Sequence, residues 1–212
     1  MEKIKPLIVI NLKTYQQGKR SVEIVKELEK VDSDIIVGAQ ASDIFEITQA
    51  TNVKVYAQHV DYFEPGRNTG YILPEAVKKD NAIGTFLNHS EHHLDFTTIR
   101  KTIERCKEIN LKTMVFVKDL NQAKEIERLK PDYLIYEPPE LVAGDVSVSD
   151  AKPEIIKRFS KIIKMKFLVG AGIKNSQDLK TSMKLGASGI ALSSAITKAR
   201  NPGKALKELI SK

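Results

Sequence analysis

Short runs rich in Val and Ile alternate along the chain with stretches in which apolar residues recur at helical spacing. The short runs are Leu7–Asn11, Ile35–Ala39, Val53–Gln58, Gly84–Leu87, Lys112–Val117, Tyr133–Glu137, Lys166–Gly170 and Gly189–Leu192. Their length, β-branching and nearly unbroken apolar character mark strands covered on both faces. Between them the periodicity predicts helices at Ser21–Lys30, Asp43–Gln49, Pro74–Lys79, Thr97–Ile109, Gln122–Leu129, Pro153–Ile163, Gln177–Leu185 and Pro202–Ile210. Asn201-Pro202 is a strong helix start, because Asn caps the orphan amides while Pro fills a first position that needs no N–H. Ser176 before Gln177-Asp178 is expected to start its helix in the same way.

Strand–helix alternation implies parallel strands joined by right-handed crossovers, and eight such units close most simply into a (β/α)8 barrel, an α/β fold with residues 1–212 as one domain. The competing open, doubly wound sheet needs a glycine-rich turn after its first strand. Asn11-Leu12-Lys13-Thr14-Tyr15 stands there instead. At 212 residues the chain is compact for this class, so some helices must be short or missing, and the second and third look weakest. The segment His59–Leu73 holds the turn-forming cluster Glu64–Gly70 and is expected to project as a loop. No Gly-, Ser- or Pro-rich linker divides the chain.

Composition narrows the class. With 42% hydrophobic and 29% charged residues the chain is not a disordered one. Cys106 is alone, so no internal disulfide forms and no Cys/His pair has zinc spacing; a reducing cytoplasm is expected. The apolar run Leu7–Ile10 is too short for a signal peptide, and charged residues interrupt every longer apolar stretch, so no membrane association is expected. Lys and Arg exceed Asp and Glu by 34 to 27, which favours anionic ligands. Segments such as Lys26–Lys30 and Lys124–Arg128 interleave both signs and read as solvated helix faces.

In a (β/α)8 barrel the chemistry sits at the carboxyl ends of the strands. There the chain places Asn11 and Lys13, Asn88-His89-Ser90-Glu91, Glu137, Gly170-Ala171-Gly172 and Ser193-Ser194. Glu137 ends an apolar strand and precedes Pro138-Pro139, a fixed and partly dry position suited to a general base. His89 can offer N–H to an oxygen where charge develops, and Lys13 can add electrostatic stabilisation. The turns after strands 7 and 8 let backbone amides approach a phosphate. His92 and His93 belong to the turn into the next helix.

Asn11-x-Lys13, Asn88-His89-Ser90-Glu91 and Tyr136-Glu137-Pro138-Pro139-Glu140-Leu141 together resemble the triosephosphate isomerase family across essentially the whole chain. Ala57–Asp61, Leu73–Val77 and the Asn before His89 resemble its compact archaeal-type branch. The resemblance implies interconversion of dihydroxyacetone phosphate and glyceraldehyde 3-phosphate through an enediolate, a step of glycolysis and gluconeogenesis, with no metal or organic cofactor. It implies Glu137 as base and His89 as electrophile, roles already worked out for triosephosphate isomerase as an example of pKa tuning and not read from spacing. It further implies that Lys13 stabilises the enediolate, Asn11 positions the substrate, and Glu91 orients Lys13. Phosphate would be held by backbone amides near Val142-Ala143, Gly172, Ser193 and Ser194. The Gly66–Tyr71 loop matches the family's interlocking loop, which would bring Thr69 to a neighbouring subunit's site in a homodimer or homotetramer, with no nucleic acid or membrane as partner.

The chain departs from the family pattern in places. Pro138–Val148 would be a lid that excludes water, but its tip reads Ala143-Gly144-Asp145 where Gly-Thr-Gly is usual, and Asp145 is expected to point outward. The family's Gly before the histidine is Asn88, and two arginines after the glutamate are His92 and His93. Two other readings are weaker. A phosphate-binding barrel acting on indole, thiamin or histidine-pathway intermediates leaves Asn11-x-Lys13 and His89 unexplained. A nucleic-acid binder needs a basic stripe with stacking aromatics, which is not visible.

Overall fold

The computed structural model describes residues 5–138 and 153–211. Its strands are β1 (Leu7–Asn11), β2 (Ile36–Ala39), β3 (Lys54–Ala57), β4 (Gly84–Leu87), β5 (Lys112–Val117), β6 (Tyr133–Tyr136), β7 (Phe167–Val169) and β8 (Gly189–Leu192). They close into a barrel in sequence order. Every neighbouring pair is parallel, and β8 bonds back to β1 with Leu7 opposite Gly189. The expected (β/α)8 architecture is therefore the observed one.

The helices are α1 (Lys19–Glu29), α2 (Ala41–Ala50), α3 (Pro74–Lys79), α4 (Phe96–Glu108), α5 (Leu120–Glu127), α6 (Pro153–Ile162), α7 (Ser176–Lys184), α8 (Ser194–Thr197) and α9 (Pro202–Ile210). Two expectations need correction. The second helix is not weak: α2 runs ten residues, with Ile44 and Ile47 buried, and its buried Asp43 accepts hydrogen bonds from Ser21 Oγ at 2.8 Å and the Gly18 amide at 3.1 Å. Nor does Ser176 cap its helix. Asn175 does, accepting from the amides of Gln177 and Asp178 while Asp178 reaches back to the Asn175 amide in a reciprocal box. The third helix is short, at six residues, and α8 was not foreseen.

Alternation along each strand sorts side chains between two cores. One core lies between strands and helices. The other fills the barrel: Val9, Ile36, Tyr56, Phe86, Met114, Phe116, Ile135, Leu168 and Ala191 draw on all eight strands and are all nearly inaccessible. Gly38 and Gly84 make that filling possible, because a Cβ on either would lie within the ring of Phe86 or Tyr56 respectively. Counting onward by two from Val9 and Ile135 brings Asn11 and Glu137 to the same inward rows, one layer above the packed interior. The barrel thus ends in polar groups at its carboxyl mouth.

Candidate active site

A cavity of about 220 Å³ opens at that mouth, and Asn11, Lys13, His89, Glu137, Gly172, Ser193 and Ser194 all line it. They come from β1, β4, β6, β7 and β8, so closure of the sheet is what brings them together. Val142 and Ala143, also expected here, lie outside the described residues, as does the segment from Pro139 to Lys152.

Lys13 follows β1 in the left-handed region, with φ of 50°. This conformation disfavours a residue with a Cβ by roughly 1–2 kcal/mol. Two hydrogen bonds hold it: the Lys13 amide donates to Asn11 Oδ1 at 2.9 Å, and Gln58 Nε2 donates to the Lys13 carbonyl at 2.8 Å. The ammonium meets Glu91 Oε1 at 2.7 Å. Glu91 thus fixes where the cation sits, while most of its own side chain faces solvent.

His89 is buried and edge-on to Phe116, with ring centroids 4.6 Å apart. The Glu91 amide donates to His89 Nδ1 at 3.0 Å. Nδ1 is therefore an acceptor, and in the neutral ring the proton sits on Nε2. Burial, reinforced by the Lys13 ammonium, pushes the imidazole pKa down to about 4, outweighing Glu91. The ring is neutral at physiological pH, and its Nε2 lies 3.4 Å from Glu137 Oε2.

Glu137 is the opposite case. Its side chain is 10% exposed. Burial raises its pKa from about 4.5 to about 7, against the lowering effects of a hydrogen bond from Ser90 Oγ at 3.1 Å and of Lys13. Gly170 leaves room for the carboxylate: a Cβ there would fall 3.2 Å from both Glu137 Oε1 and Ile135 Cγ2. The site therefore holds a carboxylate poised to titrate near neutrality beside an imidazole kept neutral.

After β7, Ala171 and Gly172 take left-handed φ values of 72° and 67°, and Ile173 and Lys174 continue the wall. Ser193 Oγ is buried at the atom level and has no hydrogen-bond partner among the described residues. Gln58, Phe116, Lys174 and the space that Gly170 leaves for Glu137 also shape the site. Gln58 stands at a strand's carboxyl end, the rule that found the expected residues; the rest need the closed barrel. A second cavity of about 430 Å³ adjoins the far side of Lys13, where His59 and His92 stack at 4.4 Å. No group of acidic, His or Cys side chains suited to a metal is found among the described residues.

The sequence model for triosephosphate isomerase matches residues 6–211. The triosephosphate isomerase of Methanocaldococcus jannaschii is 41% identical, covering 96% of this chain and 98% of that protein. That of Sulfolobus acidocaldarius is 39% identical over 97% and 94%. The crystal structure of triosephosphate isomerase from Bartonella henselae superposes with a TM-score of 0.74 over 99% of this chain and 100% of its own, at 18% identity, a likeness of fold.

Proposed function

The chain belongs to the triosephosphate isomerase family, an isomerase family, and from that premise we propose how its own residues carry the reaction. Glu137 removes the proton from the substrate carbon next to the carbonyl. His89 Nε2–H donates to the oxygen on which negative charge gathers, and the resulting enediolate takes the proton back on the neighbouring carbon. Nothing is oxidised or reduced overall; one proton moves between adjacent carbons while the O–H proton shifts the other way.

The pairing of environments supports these roles. A base works best with a pKa near the operating pH, and burial brings Glu137 to about 7. An electrophilic imidazole must keep its N–H without carrying charge, and His89 stays neutral down to about pH 4. These are the roles already known for triosephosphate isomerase as a case of pKa tuning. Lys13 supplies the positive charge for the enediolate, and Asn11 positions the substrate while its Oδ1 anchors the Lys13 backbone. Glu91 orients the ammonium.

The dianionic phosphate occupies the wall formed by Gly172, Ser193 and Ser194. The Ser193 hydroxyl, without a partner among the described residues, supports this placement, since a buried polar atom without a partner costs roughly 1–3 kcal/mol that an anionic oxygen would recover. The chemistry requires no metal or organic cofactor.

The chain acts as one domain and assembles as a homodimer or homotetramer in the cytoplasm. In that assembly the Gly66–Tyr71 loop enters the cavity beside a neighbour's Lys13. The cluster of mutually tilted rings Tyr62, Phe63 and Tyr71, with Tyr71 53% exposed, supports an interface there. No described helix is long and apolar enough to cross a membrane.

The observation that carries the proposal is the convergence of His89, Glu137 and Lys13 on one cavity. A coupled assay with dihydroxyacetone phosphate tests it, with competitive inhibition by a phosphoglycolate-like mimic expected. Absence of turnover by the folded protein would refute it.

A further inference from the structure

Asn88 is buried at 5% exposure and takes a left-handed φ of 59° immediately before His89. Backbone shape alone would be better served by glycine, which adopts that conformation without penalty. The side chain has its own engagement. Nδ2 donates to the Phe116 carbonyl on β5 at 2.9 Å, and Oδ1 accepts from the Leu94 amide at 3.0 Å. Both bonds are buried or nearly so, where geometry is held most firmly.

The two partners are the supports of His89. Phe116 presents the ring against which the imidazole stands edge-on. Leu94 closes the turn that begins at His89 and contains Glu91, whose amide holds Nδ1 as an acceptor. One amide side chain therefore ties the strand carrying the ring to the turn carrying the tautomer-setting N–H.

We propose that Asn88 is a positioning residue that locks both the orientation and the tautomer of His89 by tying the Phe116 backbone to the 89–94 turn. This rests on the reading of His89 as electrophile, and it concerns a contact that glycine at this position could not make. Without the tie the turn and the ring can shift independently. The Glu91 N–H then loses its aim at Nδ1, and a fraction of the rings carries the proton on Nδ1, leaving Nε2 unable to donate.

Asn88→Gly tests the idea, because glycine keeps the backbone conformation and removes only the tie. A misplacement of about 1 Å at a reacting group costs up to about 10²-fold, so kcat is expected to fall roughly tenfold with KM changed less than about twofold. The nitrogen NMR signals of His89 give a readout that a merely structural role would not move. The wild-type ring should show one neutral tautomer, protonated at Nε2, from pH 5 to 9. In the variant the second tautomer should appear.

An unchanged kcat, or a lowered kcat with the imidazole signals of the wild type, would overturn the assignment. If the glycine variant does not fold, Asn88→Asp serves. It tolerates the same backbone and still accepts from Leu94, but it sets a carboxylate against the Phe116 carbonyl, so it should lose at least as much. Wild-type kcat there would equally overturn the proposal. His89→Asn separates the two readings: its inactivity beside a fully active Asn88→Gly refutes the tie alone, whereas an active His89→Asn refutes the electrophile and the tie with it.

Discussion

Glu137→Gln should abolish activity and stabilise the protein, and the stabilisation should depend on pH. The change keeps the shape of a side chain that is 10% exposed, and its amide oxygen can still accept from Ser90. In the folded state the carboxyl has a pKa of about 7 against 4.5 when unperturbed. The unfolded chain therefore releases this proton first, and as pH rises from 4.5 towards 7 the folded state is increasingly penalised. The full shift corresponds to ~3 kcal/mol, most of it absent at pH 5 and all of it present at pH 8.

Glutamine carries no such penalty. Urea unfolding of both proteins at one fixed protein concentration should show the variant gaining about 2–3 kcal/mol relative to wild type between pH 5 and pH 8. His89 provides the background. Its pKa of about 4, below the ordinary 6.5, gives stability that is full above pH 6.5 and lost as pH falls towards 4. That slope opposes the Glu137 slope in the wild type and stands alone in the variant. Removing a general base costs typically 10²–10⁴-fold. A stability difference independent of pH would refute the buried-carboxylate account, and residual activity above about a tenth of wild type would refute the base.

Three other outcomes follow from the same geometry. The wild-type kcat/KM should fall on the acid side with an apparent pKa near 7, from Glu137 with the substrate phosphate adding below about 6; a profile flat from pH 8 to pH 6 contradicts this. Gly170→Ala places a Cβ against Glu137 Oε1, so steady-state kinetics should show kcat lowered roughly three- to tenfold with the fold retained; an unchanged kcat contradicts it. Lys13→Met removes the cation that lowers both the His89 and Glu137 pKa values, so KM for triose phosphate should rise roughly tenfold or more and the acid limb should move to higher pH. An unshifted limb contradicts that coupling.

The barrel was legible because its strands are buried on both faces and read as short apolar runs. β1, β4, β5 and β8 fall on the expected residues, while the others differ only at their ends. The helix α2 is longer than the compact chain length suggests, and its polar Asp43 is satisfied by the Ser21 hydroxyl of another helix, a partner only the folded chain supplies. The start of α7 was one residue off although the deciding signal was present. Only with Asn175 as cap does an acid, Asp178, fall at the third helical position and close the box. In the site, Asn11, Lys13, His89 and Glu137 could be picked out as polar residues ending apolar strands. What tunes them could not. The room at Gly170, the amide on His89 Nδ1 and the Gln58 bond to the Lys13 carbonyl arise only when strands distant in sequence become neighbours.

The central claim, that a buried carboxylate shuttles a proton between two carbons of a triose phosphate, is met most directly by isomerisation in deuterium oxide. Dihydroxyacetone phosphate converted by the protein should yield glyceraldehyde 3-phosphate carrying solvent deuterium at carbon 2. Labelled product formed by Glu137→Gln at the wild-type rate would mean that another group carries the proton, and the account would be wrong.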